Sequence, residues 1–564
     1  MMARKTPKPG FAELYTPKLV TILREGYGFS GLRADIVAGL TVAIVALPLS
    51  MAIAIASGVG PDKGLYTAIV GGFFVSALGG SRFQVGGPAG AFIVLVLATV
   101  ETHGIDGLIL ATLISGLILL LAGFLRLGTY IKYIPYPVTV GFTAGIAVII
   151  FASQIKELLG LRLPGKEPGE IIPKLEALGH ALPTANLAAM ALAAVSIGII
   201  LATRRWRPHW PGMLIAVGAT ALLAWLFALP VDTIGTRFGG IPQSLPAPTL
   251  PNLSVDKIED VLPSALSFAL LGAIESLLSA VVADSMSGRR HRSNCELVGQ
   301  GVANMASALF GGFCVTGTIA RTATNVRAGA QGPVAGMLHA VFLLLFMAVA
   351  APLASYIPLP ALAGVLAVVA WNMVEKDQFA VLLRASRGDA VVLLSTFLLV
   401  VFRDLTEGIL VGFAIGVLLF LHRMAQSVEI EDATTEDVAD DVRSGGRKPY
   451  DAAQATDPDV VVYRISGAFF FGAAANVGAA LDNIGQHPRA YVIDCSAISV
   501  LDSTAAATLA GFATNAQRRG AAVYLAGVRD PIRQILRTHD VAPPLVTFPA
   551  TVAAGVAAAK SRLP

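Results

Sequence analysis

Two ionisable residues stand inside apolar sequence. Glu275 lies in Ala-Leu-Ser-Phe-Ala-Leu-Leu-Gly-Ala-Ile-Glu-Ser-Leu-Leu-Ser-Ala-Val-Val-Ala-Asp, and Arg321 follows Gly-Gly-Phe-Cys-Val-Thr-Gly-Thr-Ile-Ala. A charge at the centre of a bilayer costs about 2.5 to 3.5 kcal/mol on insertion scales, so each residue calls for a partner or a task. Low-dielectric surroundings penalise the charged form of any carboxyl group, which suits Glu275 to take up and release a proton. An arginine stays charged throughout, so Arg321 is fitted either to pair with Glu275 or to attract an anion. A purely structural Glu275–Arg321 ion pair satisfies the same pattern. Asp284, late in the same run, reads as facing water.

Arg321 also belongs to one of two unusual segments, Val85 to Val100 and Gly311 to Arg327, which are too short and too rich in glycine to span a bilayer alone. A helix that starts halfway across a membrane turns its unpaired N–H groups and the positive end of its dipole towards the midplane, where they attract anions. One such start is expected near Gly87-Pro88-Ala89, with Pro88 suited to a first turn that needs no donor. The other is expected near Thr316-Gly317-Thr318, where the glycine permits close approach and the hydroxyls can cap or bind. Tight helix packing by small residues is the competing explanation.

These segments need a scaffold, and the composition supplies one: of 564 residues, 55% are hydrophobic and only 14% charged, the signature of a membrane protein. Runs near the roughly 20 residues needed to span a bilayer begin near Ile36, Gly64, Ile105, Tyr136, Leu187, Gly212, Leu262, Leu297, Pro333, Leu359, Ala390 and Gly408. With the two short segments the count is fourteen, and alternate loops then hold Arg82; Arg126 and Lys132; Arg204, Arg205 and Arg207; Arg289, Arg290 and Arg292; Lys376, Arg384 and Arg387. Basic loops face the cytoplasm, so both termini are expected there. Each short segment is the third of a set of seven. Seven is odd, so the two sets form an inverted repeat with a midplane site. The expected organisation is a cytosolic lead-in (1–30), a transport domain (31–425, repeats about 32–230 and 258–425), a linker (426–457) and a second domain (458–564).

Other chemistry is absent. The net charge of +4 is dispersed in short clusters, which argues against nucleic-acid binding. Cys295, Cys314 and Cys495 match no metal or redox spacing, and no His-Glu-x-x-His occurs. Gly160 to Glu167 imitates a phosphate loop without the Ser/Thr that should follow its lysine. No metal, cofactor or enzyme activity is expected, and the N-terminus lacks the pattern of a cleaved signal.

The acidic linker is expected to carry one short strand at most. Beyond it, Val460 to Phe471, Ala490 to Ile498, Ala521 to Ala526 and Leu545 to Phe548 read as strands, and Asn476 to Ile484, Ser503 to Arg519, Asp530 to Thr538 and Thr551 to Lys560 as helices. Asp502, Ser503 and Thr504 fall where a loop enters a helix. Asp502 or Ser503 can cap it, and a phosphate on Ser503 or Thr504 would be electrostatically favourable there.

The chain resembles the sulfate permease (SulP) family of anion transporters over nearly its whole length. The resemblance is carried by Ala-Gly-Leu-Thr-Val-Ala-Ile-Val-Ala-Leu-Pro, the Gly-Leu-Tyr at Gly64, Gly-Gly-Pro-Ala-Gly, and Val-Thr-Gly-Thr-Ile-Ala-Arg-Thr-Ala-Thr-Asn. The tail is similar to a STAS domain, in which the phosphorylated hydroxyl would match Ser503 or Thr504. The resemblance implies an α-helical polytopic membrane protein of fourteen segments in a 7+7 inverted repeat, uracil-permease-like, with a cytosolic α/β STAS domain. Within it a core domain (spans 1 to 4 and 8 to 11) moves against a gate domain. It further implies a bacterial inner-membrane location, a homodimer, a cytosolic regulatory partner for the STAS domain, and a small inorganic or organic anion as substrate: sulfate, bicarbonate or a C4-dicarboxylate. Residues matching the family's site are Ala46, Leu49, Ile53, Gly87, Pro88, Ala89, Thr316, Gly317, Thr318, Ile319, Ala320 and Arg321. Glu275 matches the position where proton-coupled members carry an acid, and sodium-coupled bicarbonate members tend to have aspartate there. Two departures are Cys314, where a proline is common, and an aliphatic wall in span 1. A sodium-coupled symporter, an uncoupled channel or exchanger, and a nucleobase transporter of the same architecture are the competing expectations.

Overall fold

Among the described residues, eight helices are long and apolar enough to cross a bilayer on their own. In the computed structural model, which describes residues 10–130, 133–165, 167–207, 210–426, 428–432, 459–474, 477 and 488–561, the remaining spans are shorter helices wedged among these eight. The chain forms two compact units, Met1–Phe413 and Ala414–Pro564.

In the first repeat, span 1 is Phe29–Ala56 and span 2 covers 61–78, interrupted by one π-helical turn at Thr67–Gly71. A two-residue strand, β1 (Gly86–Gly87), precedes span 3, which starts with a 3-10 turn at Gly90–Phe92. Gly104 breaks the helix Ile93–Phe124 at φ 71°, a conformation that favours glycine, and so divides span 3 (90–103) from span 4 (105–124). Span 5 is Tyr136–Leu159, span 6 Leu187–Trp206 and span 7 Gly212–Leu226. The second repeat follows the same order. Span 8 is Val255–Ser287 and span 9 Ser293–Leu309; strand β2 (Thr316–Gly317) leads into span 10, Ile319–Arg327. Spans 11 to 14 are Val334–Ala354, Leu359–Met373, Arg387–Phe402 and Leu405–Gln426.

Small residues bring the helices together, as they do where lipid offers no hydrophobic drive to association. A Cβ on Gly116 of span 4 would meet the Gly301 carbonyl of span 9 at 2.7 Å, and one on Gly301 would meet the Gly116 carbonyl at 2.6 Å. Similar notches seat span 1 against span 11 at Gly39 and span 5 against span 13 at Gly141. Spans 1 to 4 thus pack mainly with 8 to 11, and spans 5 to 7 with 12 and 13, while Gly408 and Gly412 seat span 14 against span 13, giving the core and gate groups.

The second unit is built on a mixed sheet. Strand β3 (Glu429–Asp432) runs antiparallel to β4 (Val460–Phe469); β5 (Ala490–Asp494) and β6 (Ile498–Leu501) pair in parallel with β4, and β7 (Ala522–Ala526) with β5. Alternating residues serve two cores: Ile465, Phe469, Tyr491 and Ile493 face the helices Ser503–Arg518 and Asp530–Thr538, whereas Val460, Val462, Ala490 and Val492 face Val552–Ser561. The expected strand Ala490 to Ile498 is divided in two, because Cys495 to Ala497 turn the chain. Leu545 to Phe548 make no strand, only a single bridge between Tyr524 and Thr547. The expected helix Asn476 to Ile484, apart from Val477, and the linker between Asp432 and Asp459 lie outside the described residues.

Candidate functional site

Strands β1 and β2 are antiparallel partners, Gly86 opposite Gly317 and Gly87 opposite Thr316, although more than two hundred positions separate them in sequence. This pairing uses up the backbone groups on one side of each segment and leaves the starts of spans 3 and 10 side by side. Neither start is capped: no side chain bonds the first N–H groups after Ala89 or after Thr318. The two threonine hydroxyls, read from the sequence as able to cap or bind, are both engaged with carbonyls. Thr316 Oγ1 donates to the Gly272 carbonyl at 3.1 Å and Thr318 Oγ1 to the Val85 carbonyl at 3.3 Å. Pro88 also differs from expectation, since it lies outside the helix, ahead of the first turn at Gly90–Phe92, and its carbonyl accepts from Arg321.

The two glycines of the crossing are notches for polar side chains. A Cβ on Gly87 would overlap the Arg321 guanidinium, and one on Gly317 would overlap the Gln84 side chain. Arg321 is 1% exposed, and its partners are Ser50 Oγ at 3.1 Å and the carbonyls of Gly86 and Pro88 at 3.5 and 3.4 Å. All three are neutral, and Nε has no partner among the described residues. The Glu275–Arg321 ion pair does not occur. A fully charged guanidinium is therefore buried beside two open helix starts with no carboxylate to balance it, an arrangement that favours an incoming anion.

Glu275 is tied to this crossing by its helix. Gly272 accepts from Thr316, Ser276 Oγ accepts from Gln84 at 2.8 Å, and Ser279 Oγ donates to Thr322 at 3.1 Å, so this stripe of span 8 lies along span 10. The Glu275 carboxyl itself has an enclosed Oε2 with no hydrogen-bond partner among the described residues. Asp284, lower in the same helix, pairs with His291 at 2.7 Å.

Ala46, Leu49, Ile53 and Ala89 are buried together in one apolar cluster with Phe92, Ile146 and Ile150, forming the aliphatic wall. Ile319 is half-buried and Ala320 exposed, so the site opens along them. A cavity of about 350 Å³, lined by Ala52, Ile55, Leu97, Glu101, Lys156 and Arg237 among others, reaches from the loops opposite the basic ones to within a residue of Ile53. A larger cavity, about 570 Å³, lies elsewhere; it is lined by Leu47, Met51, Leu222, Trp225, Phe346 and Tyr356 with no charged residue and offers nothing to hold an anion.

Sequence reasoning missed three supporting residues. Ser50 holds Arg321, and Gln84 fills the Gly317 notch. Glu296, fully buried, accepts from Ser81 N at 2.9 Å, Gln84 Nε2 at 2.9 Å and Gln300 Nε2 at 3.2 Å, clamping the approach to β1. The only sequence signal for Glu296 is a carboxylate just inside an apolar run, four residues after Arg292. In the second unit, Asp502 caps the helix Ser503–Arg518 by accepting from Ala505 N at 2.9 Å, and its other oxygen accepts from Phe471 N at 2.9 Å. Ser503 and Thr504 are exposed in the first turn.

Comparison with known proteins places this geometry. A model of the sulfate permease family matches residues 32–396, and a STAS domain model matches residues 452–554. YvdB of Bacillus subtilis (strain 168), provisionally named a sulfate transporter, is 39% identical over 91% of this chain and 94% of its own length. The bicarbonate transporter BicA of Synechocystis is 31% identical over 91% of each chain. The transmembrane domain of a cyanobacterial BicA superposes with a TM-score of 0.61 at 31% identity, covering 69% of this chain and 98% of that one. The murine anion transporter Slc26a9 in its inward-facing state shares the fold over 100% of this chain and 97% of its own, with a TM-score of 0.85 at 18% identity. With its fourteen-span inverted repeat and C-terminal STAS domain, this chain belongs to the sulfate permease family, whose members are membrane transporters and not enzymes.

Proposed function

We propose that the protein is a secondary active transporter that carries a small anion inward with a proton, by alternating access, across the bacterial inner membrane. The reading rests on one observation above the rest: two uncapped helix starts joined by the β1–β2 pairing, next to a buried Arg321 that has only neutral partners. An anion seated there supplies the missing counter-charge, and backbone N–H groups bind its oxygens with little selectivity. Sulfate and bicarbonate are the favoured substrates because relatives sharing about a third of the sequence carry those names, and a C4-dicarboxylate fits the same donors. Glu275 is the proposed coupling residue, its unpartnered Oε2 facing no fixed donor and therefore free to gain and lose a proton. Both termini lie on the basic-loop, cytoplasmic side, and the working form is a homodimer.

Uptake of labelled sulfate, bicarbonate and fumarate into proteoliposomes, with and without an inward proton gradient, tests this reading against the Glu275→Gln variant. Accumulation above equilibrium that requires the gradient, and that collapses to passive equilibration in the variant, is expected. Accumulation indifferent to both would move the reading to sodium coupling, exchange or a channel.

A further inference from the structure

Two short helices, Phe11–Tyr15 and Lys18–Arg24, precede span 1 and are strapped to the core group rather than left free. The Tyr15 hydroxyl donates to the carbonyls of Gly123 and Phe124 at the end of span 4, both at 3.1 Å; Lys18 N donates to the Gly79 carbonyl after span 2 at 3.1 Å. Arg292, just ahead of span 9, donates through Nη1 to the Thr16 carbonyl and to Thr21 Oγ1, each at 2.8 Å. A cavity of about 300 Å³ lies between these parts, lined by Ala12, Thr16, Thr21, Arg24, Glu25 and Arg292.

Its charge is unbalanced. Lys18, Arg24, Arg82, Arg289 and Arg292 gather around it, while among the described side chains the facing acids are Glu25, already paired with Arg82, and Asp284, already paired with His291. The side chains of Lys18, Arg24 and Arg289 have no hydrogen bond or ion pair among the described residues. Lys18 is half-buried, and burial together with the neighbouring Arg292 and Arg82 pulls its pKa below the ordinary lysine value, which is what a site short of negative charge does to an ammonium group. The preceding sequence adds Arg4, Lys5 and Lys8 with no acid before Glu13.

The surroundings are those of a membrane–water boundary. Phe11, 66% exposed, and Phe124, 47% exposed, flank Tyr15 with ring centroids 4.7 and 5.5 Å away, and Leu23 and Leu125 are exposed close by. Aromatic and aliphatic side chains left outside at the end of a span lie among acyl chains and headgroups. We infer that this cleft binds the phosphate of an anionic phospholipid headgroup, with Arg24 and Arg292 as its cationic lining, Lys18 beside them adding to the positive field, and the exposed Phe11, Leu23 and Phe124 against the acyl chains. Arginine and lysine at a juxtamembrane pocket recognise phosphate in this way, and the apolar rim selects a lipid over a free anion. Because the cleft is built on the ends of spans 2, 4 and 9, a bound headgroup braces the core group that carries β1.

The test uses the purified full chain in neutral detergent, titrated separately with dioctanoyl phosphatidylglycerol, dioctanoyl phosphatidylcholine and inorganic phosphate, with thermal midpoint and lipid retention in native mass spectrometry as readouts. The phosphatidylglycerol is expected to bind and raise the midpoint, and the phosphatidylcholine to do neither. The double variant Lys18→Gln/Arg24→Gln is expected to bind it about thirty-fold more weakly; Arg384→Gln, a basic residue on another exposed helix, is expected to bind as the native chain does. Undiminished binding by the double variant overturns the proposal. So does inorganic phosphate that raises the midpoint equally and displaces the lipid, since the site would then serve a soluble anion. If the double variant does not fold, Arg24→Glu, at an exposed position on the cleft's edge, carries the same comparison, with a loss of at least about tenfold expected.

Discussion

The helix at Ser503 and the half-helices of spans 3 and 10 begin with the same difficulty, a turn of N–H groups that no intrahelical carbonyl can reach. The STAS domain closes its helix start from within: Asp502 accepts from Ala505 N and uses its second oxygen to hold Phe471 N, tying the helix to the segment that follows β4. The membrane unit leaves both starts open, and turns the two hydroxyls that were available as caps onto the carbonyls of Gly272 and Val85. It adds a buried cation held by neutral groups alone. A closed start is structural, whereas an open pair beside an uncompensated charge has something left to bind.

Removing the charge should break this contrast most severely. In Arg321→Ala the open starts lose their cation, and truncating a buried hydrogen-bonded charge typically costs about 2–5 kcal/mol, so anion affinity is expected to fall by at least about thirty-fold. Calorimetric titration of the purified variant with sulfate and bicarbonate checks this. Native affinity in Arg321→Ala would remove the arginine from the site. Next in size is Gly317→Ala, whose Cβ must displace Gln84 from Ser276 and Glu296. Losing those buried bonds costs about 1–3 kcal/mol. A five- to hundred-fold fall in uptake is expected, with the protein still monodisperse.

The STAS side of the comparison calls for the opposite behaviour. Asp502→Ala should lower stability by about 1–2 kcal/mol, speed hydrogen exchange at the Ala505 and Phe471 amides, and leave anion affinity as it was; a large fall in affinity would undo the distinction between closed and open starts. The smallest effect concerns Asp494. Burial pushes this carboxyl up, but hydrogen bonds from Ser496 and Arg464 outweigh it and hold it below the ordinary aspartate value. A depressed carboxyl contributes stability that is complete above its unfolded value, about pH 4, and is lost as the pH falls further. Asp494→Asn should therefore flatten the stability of the STAS domain below about pH 4, read by the exchange of β5 amides. The effect is small because Arg464 is 37% exposed and screened by solvent.

Much of this architecture is legible in local sequence, since a bilayer demands apolar stretches of fixed length and the chain supplies them one after another. The half-helices announce themselves through Gly-Gly-Pro-Ala-Gly and Val-Thr-Gly-Thr, because only short, glycine-rich segments need to stop midway. Arg321 and Glu275 are conspicuous for the cost of their burial. Asp502 is recognisable as a cap from its place before an amphipathic helix, although its second bond, to Phe471, depends on a segment thirty-one positions away, just past the end of β4.

What only the tertiary structure decided is how these pieces meet. The choice between a Glu275–Arg321 pair and an arginine left for an anion turned on Gly87, whose missing side chain makes room for the guanidinium and directs it to Ser50 and two carbonyls. Likewise Gln84 enters the Gly317 notch because Glu296 and Ser276, from two other spans, hold it there. Composition and periodicity report what a residue's own neighbours along the chain require of it. They carry no record of a void opened by a glycine in the other repeat, and the site is made of such voids and the side chains that fill them.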